Sequence, residues 1–167
     1  MKKLFLITLA SAGLLSAVAA QAVQQNITVT ANVDSSVGIT QSDGSPLPSS
    51  IAMQYMPARG LIPWQDQVKV WTNSNTDNIN VSLATLPVLT DDTAKNTIPL
   101  TVSLNGTALA TTASTLTYAS IFPAGTTNGS SPLPLVISQT SGDTNLAAGT
   151  YTGVVSLILA QATSPKS

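Results

Sequence analysis

Cysteine, histidine and glutamate are all absent from this chain of 167 residues, and only 8% of its residues carry charge. Without cysteine there can be no disulfide, so stability must come from a packed core or from assembly. The missing residue types are also the commonest general bases and metal ligands, which argues against an enzyme and against a metal or cofactor site. The adjacent acids Asp91 and Asp92 lie among turn-forming residues, where we expect a solvated turn rather than a catalytic pair.

The first 22 residues have the pattern of an export signal. Two lysines follow the initial methionine, residues 4–15 are mostly apolar, and Ala20-Gln21-Ala22 supplies small residues at the two positions that signal peptidase reads. This pattern predicts cleavage between Ala22 and Val23. The apolar stretch is too short to cross a bilayer core of about 30 Å, so we expect removal rather than anchoring.

The remaining residues, 23–167, amount to one domain. They contain four basic residues against seven aspartates, a net charge of −3. Nucleic-acid binding and attachment to anionic membranes both need clustered lysine and arginine. Neither partner is therefore expected.

Strand-forming and turn-forming residues dominate this region. Threonine, valine, serine and asparagine are abundant, and Gly/Pro/Asn/Ser clusters separate short runs in which apolar and polar residues alternate. About seven or eight such strands with regular turns predict an all-β sandwich. The runs are residues 37–40, 51–55, 68–72, 79–83, 98–104, 133–138 and 147–160. Pro99 suggests an edge position or a strand start for its run.

The clearest alternation opens the exported chain. Ile27, Val29, Ala31 and Val33 share one parity, and the residues between them are Thr28, Thr30 and Asn32. A period of two is typical of a strand that buries one face. Because this strand follows the cleavage site directly, it can pair with its own domain or with another molecule.

The last strand of the chain has too few neighbours. From Tyr151 onward it carries apolar side chains on both faces, with Val155, Leu157 and Leu159 on the parity of Tyr151. A strand this apolar requires partners along both edges. Residues 162–167 are polar and too short to return as a further strand. We therefore expect a sandwich that lacks its final strand, with the N-terminal strand as the obvious replacement.

Three segments together resemble major pilin subunits of colonization factor antigen I fimbriae, which belong to the class 5, alternate chaperone–usher group. They are Asn26-Ile-Thr-Val-Thr-Ala-Asn-Val-Asp34, Gln41-Ser-Asp-Gly-Ser-Pro-Leu-Pro48 and the closing residues 148–159. The resemblance covers nearly all of the exported chain in the same order. The lack of cysteine also fits this family.

The resemblance implies an incomplete immunoglobulin-like β-sandwich and a structural role in an adhesive fimbrium at the cell surface. A periplasmic chaperone would first fill the groove, and at the outer-membrane usher the N-terminal strand of the next identical subunit would replace it. Donor residues would be Val23, Ile27, Val29, Ala31 and Val33, and the groove edge Tyr151, Val155, Leu157 and Leu159. The implied organisation is 1–22 signal peptide, 23–35 donor strand and hinge, and 36–167 pilin domain, with a separate tip adhesin binding the receptor.

Two alternatives remain open. The N-terminal strand could pair within its own chain, and the protein could be a stand-alone exported β-sandwich that binds carbohydrate or a host surface. Aromatic residues suit sugar binding. Of the two tryptophans, we expect Trp71 to pack within a strand and Trp64 to form a surface contact from a loop. Trp64 could equally lie at a contact between subunits, and Arg59 of the same loop could pair with an acid of a neighbouring subunit.

Overall fold

The computed structural model describes residues 37–140, 142 and 144–162. No helix within these residues is long and apolar enough to cross a membrane. The described part consists of twelve strands and one short helix, α1 (Tyr118–Ile121). The strands are β1 (Val37–Gln41), β2 (Tyr55–Met56), β3 (Gly60–Leu61), β4 (Trp64–Thr72), β5 (Ile79–Leu83), β6 (Val88–Asp91), β7 (Thr97–Leu104), β8 (Thr107–Ala108), β9 (Ser114–Leu116), β10 (Leu133–Gln139), β11 (Tyr151–Thr152) and β12 (Leu157–Gln161).

Two antiparallel sheets form the domain. The larger has the order β1-β4-β10-β7-β6-β11, and the short β8 pairs with β7. The smaller has the order β12-β5-β9. Register in the larger sheet pairs Val37 with Thr72 and Leu133 with Val68. A small hairpin, β2–β3, precedes β4.

The core lies between the two sheets and follows the alternation in the sequence. In β5, Ile79, Val81 and Leu83 are buried while Asn80 and Ser82 are partly exposed. The apolar residues of β4, β7 and β10 alternate in the same way, and Val68, Val70, Val102 and Leu104 are fully buried. Each such side chain contributes about 1.5–3 kcal/mol of transfer free energy. This burial takes the place of the absent disulfides.

Four of the predicted strands appear close to their expected bounds, namely β1, β5, β7 and β10. Residues 51–55 are different: residues 51–54 belong to no strand, and β2 begins only at Tyr55. The sequence patterns did not indicate the short strands β6 and β9 or the helix α1. Such short elements depend on neighbours supplied by the tertiary structure rather than on a long periodic pattern.

The edge position suggested for Pro99 is wrong, because β7 lies inside the larger sheet. The proline is accommodated where β7 changes neighbours. β10 pairs with residues 100–104, whereas β6 pairs with residues 97–99. The Pro99 carbonyl accepts a hydrogen bond from the Thr140 N–H at 2.9 Å.

The single long C-terminal strand predicted from the sequence is broken into β11 and β12. β11 pairs with β6 of the larger sheet, and β12 pairs with β5 of the smaller one. Residues 153–156 carry the chain from one sheet to the other. Gly153 permits this crossing, because a Cβ there would collide with the Val88 carbonyl oxygen.

Trp71 packs within β4, as its place in an alternating run predicts. Its indole N–H donates to the Thr40 hydroxyl at 2.8 Å. The loop before β10 crosses beneath it: the buried Ser130 hydroxyl accepts the Val70 N–H at 2.9 Å. An added Cβ on Gly129 would lie 3.1 Å from the indole ring.

We predict that Gly129→Ala destabilises the domain more than Gly125→Ala. Both glycines have positive φ, 71° and 78°, so both substitutions carry a backbone cost of about 1–2 kcal/mol. Only Gly129 also meets the Trp71 ring, and overpacking adds about 1–3 kcal/mol. Thermal unfolding of the two variants, compared in the same assembly state, measures the difference. Equal midpoints would contradict the packing role assigned to Trp71.

Candidate functional site

An apolar groove of about 810 Å³ opens between the start of the C-terminal segment and the chain that follows β1. One side is formed by residues of the segment after β1, namely Leu47, Ile51 and Met53. The other side is formed by Leu146, Tyr151, Val155 and Leu157. Leu89, Leu100, Leu135 and Ile137, from the central strands of the larger sheet, complete the lining.

The groove contains no charged side chain in its lining. The polar side chains in its lining include the hydroxyl groups of Ser49, Ser50 and Thr152, and no cluster of histidine, cysteine or acidic residues within the described ranges could hold a metal ion. A surface of this kind suits an occupant that presents apolar side chains at regular intervals.

Both chain segments that border the groove are incompletely paired within the described residues. β12 is an edge strand with β5 as its one neighbour among the described residues, and residues 153–156 belong to no strand. Opposite them, residues 45–54 also belong to no strand. Unpaired strand edges are templates for an added strand, because their N–H and C=O groups are free to pair.

The four residues predicted for the groove edge share one orientation in the structure. Tyr151, Val155, Leu157 and Leu159 are all half-buried, while the even-numbered positions from 152 to 160 are exposed. Tyr151, Val155 and Leu157 line the groove. Leu159 packs against the core but lies outside the groove lining.

Two further apolar side chains of the same segment are exposed. Val154 is 76% exposed and Ile158 is 49% exposed. The sequence placed both on the second face of the strand, but Val154 also lines the groove, where residues 153–156 belong to no strand.

Residues predicted to act from the N-terminal strand lie outside the described residues. These are Val23, Ile27, Val29, Ala31 and Val33, together with the cleavage site between Ala22 and Val23. Their roles remain predictions.

Trp64 does not lie in a loop, contrary to the prediction. It is the first residue of β4, pairs with Ile137 of β10, and packs half-buried against the core as part of the groove lining. The alternation of β4 extends back to Trp64, but Pro63 obscured it in the sequence. Arg59 is exposed in the turn between β2 and β3.

Asp91 anchors the turn between β6 and β7 beside the groove. Its carboxylate accepts the Lys95 N–H at 2.9 Å, the Thr93 hydroxyl at 2.9 Å and the Asn96 side-chain amide at 2.7 Å. The expected turn is present, but Asp91 is only 7% exposed, so the prediction of solvated acids holds for Asp92 alone. Asp91 also pairs with Tyr151 of β11, which links this turn to the groove edge.

The hydrogen bonds to Asp91 lower its pKa. The side-chain hydrogen bond from Asn96 is the largest cause, and burial opposes the shift by raising the pKa. Hydrogen bonds that favour the ionised form stabilise it relative to the protonated carboxyl.

Comparison with known proteins places the chain in one family. Residues 23–160 match the model of the CS1 type fimbrial major subunit. One relative, a CFA/I fimbrial subunit of Escherichia coli, is 42% identical over 151 residues, covering 86% of this chain and 88% of that protein. Another, a CS1 fimbrial subunit of E. coli, is 36% identical over 166 residues, covering 93% and 95%.

A solved structure agrees with these sequence relatives. The CooA pilin from enterotoxigenic E. coli superposes with a TM-score of 0.69 and 34% identity, covering 78% of this chain and 90% of that one. The expectation of an all-β, immunoglobulin-like fold is confirmed.

The chain belongs to the family of CS1 type fimbrial major subunits. It is accordingly a structural pilin that polymerises with other pilin subunits into a fimbrium at the cell surface. Its relatives are structural pilins and not enzymes.

We predict that Asp91→Asn reduces the loss of stability in acid. Because the folded-state pKa lies below the unfolded one, ionised Asp91 stabilises the fold above an ordinary aspartate pKa of about 3.9. That contribution disappears as the pH falls through the lower, folded-state pKa. Thermal midpoints at pH 7 and near pH 3 should therefore differ less for Asp91→Asn than for the wild type.

Asp92→Asn is the matched control, because Asp92 is the exposed neighbour in the same turn. It should leave the acid dependence as in the wild type. An Asp91→Asn variant with the full wild-type acid dependence would contradict the role of the Asp91 hydrogen bonds.

Proposed function

We propose that this shaft pilin polymerises by donor-strand exchange, with residues 23–33 of one copy inserted into the groove of the next. The observation that carries the proposal is the apolar, uncharged groove beside the free edge of β12. Each copy then supplies one strand and receives one, and head-to-tail repetition of such a contact gives an open filament.

The donor side chains suit this groove in character. Ile27, Val29, Ala31 and Val33 point to one face of an extended strand, and their neighbours Thr28, Thr30 and Asn32 point to the other. The first set would meet the apolar lining while the second set faces solvent. Four apolar insertions contribute at most about 5–9 kcal/mol of burial free energy.

The lengths also agree. Six residue steps separate Tyr151 from Leu157 along the groove edge, and six steps separate Ile27 from Val33 along the donor. At about 3.3 Å a step, the extended donor from Ile27 to Val33 is about 20 Å long, and the groove edge, which is not in strand at residues 153–156, is at most about as long. The donor can therefore place a side chain along the whole groove without looping out.

Backbone pairing adds to this burial. Each hydrogen bond formed with the β12 edge contributes about 0.5–1.5 kcal/mol net. Ordering the donor costs about 1–2 kcal/mol a residue, which offsets much of the gain. A durable filament then depends on slow release of the strand as well as on equilibrium stability.

An exposed groove of this kind has to be covered before assembly, because large apolar patches promote aggregation. A periplasmic chaperone covers it in the proposed pathway, and the outer-membrane usher exchanges the chaperone for the next pilin. A separate tip adhesin completes the fimbrium. These three partners follow from the family resemblance and from the need to protect the groove.

We predict that Val29→Asp abolishes the oligomer ladder that fimbriae give in unheated detergent gels, whereas Thr28→Asp preserves it. The two variants add the same charge at adjacent positions, but only Val29 would enter the apolar groove. A buried, unpaired carboxylate costs far more than the lost aliphatic contacts. The chain would be expressed with its assembly operon, and loss of the ladder in both variants or in neither would contradict the proposed strand orientation.

A second experiment separates exchange between molecules from pairing within one chain. Val155→Asp should disable the groove but leave the donor strand intact, whereas Val29→Asp should do the opposite. Ser156→Asp is the matched control for the groove, because Ser156 is exposed beside Val155. Neither disabled variant should form a ladder alone.

Expressed together, the Val155→Asp and Val29→Asp chains should form a dimer and nothing longer. One chain can only donate and the other can only accept, so the second strand transfer has no site. If the donor strand instead paired within its own chain, no dimer would appear in the mixture. That result would favour the self-contained sandwich.

A further inference from the structure

The β2–β3 hairpin projects from one end of the domain, which we call the head end. β4 begins there at Trp64 and β10 finishes there at Gln139. The opposite, base end contains Val37, which pairs with Thr72, and Gln161, whose side-chain amide donates to the Thr72 hydroxyl at 2.7 Å. The hairpin and the start of β1 therefore lie at opposite ends of β4.

Specific hydrogen bonds hold this hairpin in place. The Gln139 side-chain carbonyl accepts the Leu61 N–H at 2.9 Å, and the Tyr55 hydroxyl donates to the Thr144 carbonyl at 3.1 Å. The Arg59 N–H donates to the Met56 carbonyl at 3.0 Å and closes the turn. A hairpin fixed at both strands presents its side chains in one arrangement, which reduces the entropy lost on binding.

The side chains on the hairpin are those of a contact surface. Tyr55 is 45% exposed and Met56 is 43% exposed, two of the few large apolar residues left open in the described ranges, and Tyr55 also lines the end of the groove. Beside them stands Arg59, the one arginine of the whole sequence. Within residues 37–140, 142 and 144–162, no residue forms a hydrogen bond or an ion pair with its guanidinium. Methionine, aromatic residues and arginine are the types enriched at protein interfaces.

The direction of the donated strand determines what this hairpin faces. Three residues, 34–36, join Val33 to Val37, and the four steps span at most about 14 Å. The base of the donating copy must therefore lie close to the point where its Val33 leaves the groove. If Val33 left the groove at the base end, the base end of each copy would face the base ends of two other copies, and the filament could not extend. If Val33 leaves the groove at the head end, the base end of each copy rests on the head end of its neighbour in every repeat.

We infer that the β2–β3 hairpin is the platform on which the next copy of this chain rests, with Arg59 paired to Asp34 of that copy. This inference rests on the proposed strand exchange. Asp34 directly follows Val33, so it is the first charged residue to leave the groove at the head end. Arginine forms two parallel hydrogen bonds to a carboxylate, which fixes the angle of the contact as well as adding attraction.

The pairing also fits the charge of the assembled protein. The exported chain carries seven aspartates and four basic residues, so copies stacked end to end repel one another overall. A cation at the head end opposite an acid at the hinge opposes this repulsion at the joint. The adjacent Tyr55 and Met56 reduce the exposure of the pair to water, which strengthens it.

We predict that Arg59→Asp and Asp34→Arg each accelerate dissociation of assembled fimbriae, and that the double exchange restores the wild-type rate. An ion pair at a partly exposed contact corresponds to a change of about two- to fivefold in rate for each single variant. The measurement is the rate at which the oligomer ladder collapses in detergent at a fixed elevated temperature. In about 1 M salt, where charges more than about 3 Å apart are screened from one another, the differences in dissociation rate between the variants should become smaller.

The matched control is Arg59→Asp combined with Asp92→Arg. It has the same net charge as the double exchange, and Asp92 is an exposed acid of the β6–β7 turn. Rescue by Asp34→Arg but not by Asp92→Arg supports the pairing. Single variants that dissociate at the wild-type rate, or equal rescue by both double variants, would overturn it.

The test also separates this inference from strand exchange itself. If the ladder forms and Val29→Asp abolishes it, exchange stands whatever Arg59 does. Thermal unfolding of Arg59→Asp shows whether the hairpin still folds. If Arg59→Asp prevents the hairpin from folding, the dissociation rate of the Asp34→Arg variant alone tests the pairing, because position 34 precedes β1 and lies outside the hairpin.

Discussion

The last strand of this protein has a neighbour along one edge only among the described residues, and the other features of the molecule depend on that fact. β12 is paired to β5, and beside it the lining of the groove joins both sheets to the segment that follows β1. An apolar strand edge in water is costly in two ways, through exposed carbon and through unpaired backbone. In the proposed strand exchange, a strand of another copy covers this edge.

The rest of the domain holds that edge in position. Fully buried valines and leucines from β4 and β7 make the two sheets a firm support without a disulfide. Asp91 fixes the turn that pairs with β11, and Gly153 lets the chain cross to the smaller sheet. These contacts fix the positions of the two strands that border the groove, which suits a binding surface for an added strand.

Family membership and the groove give complementary information. The 42% identity to a pilin of CFA/I fimbriae and the TM-score of 0.69 to the CooA pilin establish a structural component of a fimbrium. The groove gives a physical reason for such a chain to polymerise. Strand insertion and the joint at Arg59 are separate proposals, one about burial of apolar surface and one about charge. The two places adjoin, because Tyr55 and Leu61 of the hairpin also line the groove.

The sequence determined the elements whose signal is local and repeated. Period-two alternation gave β5, β7 and β10 near their bounds, and the parity of Tyr151, Val155 and Leu157 correctly grouped one side of the groove. It misplaced Trp64 because Pro63 masks the start of β4, and it joined β11 to β12 because apolar residues continue across the crossing. Residues 51–54 alternate like a strand, yet they belong to no strand, and the Gln54 carbonyl accepts its hydrogen bond from Ile62 of the β3–β4 connection. Only the tertiary structure decided these points, because pairing, burial and the space beside a strand depend on residues far away in the chain.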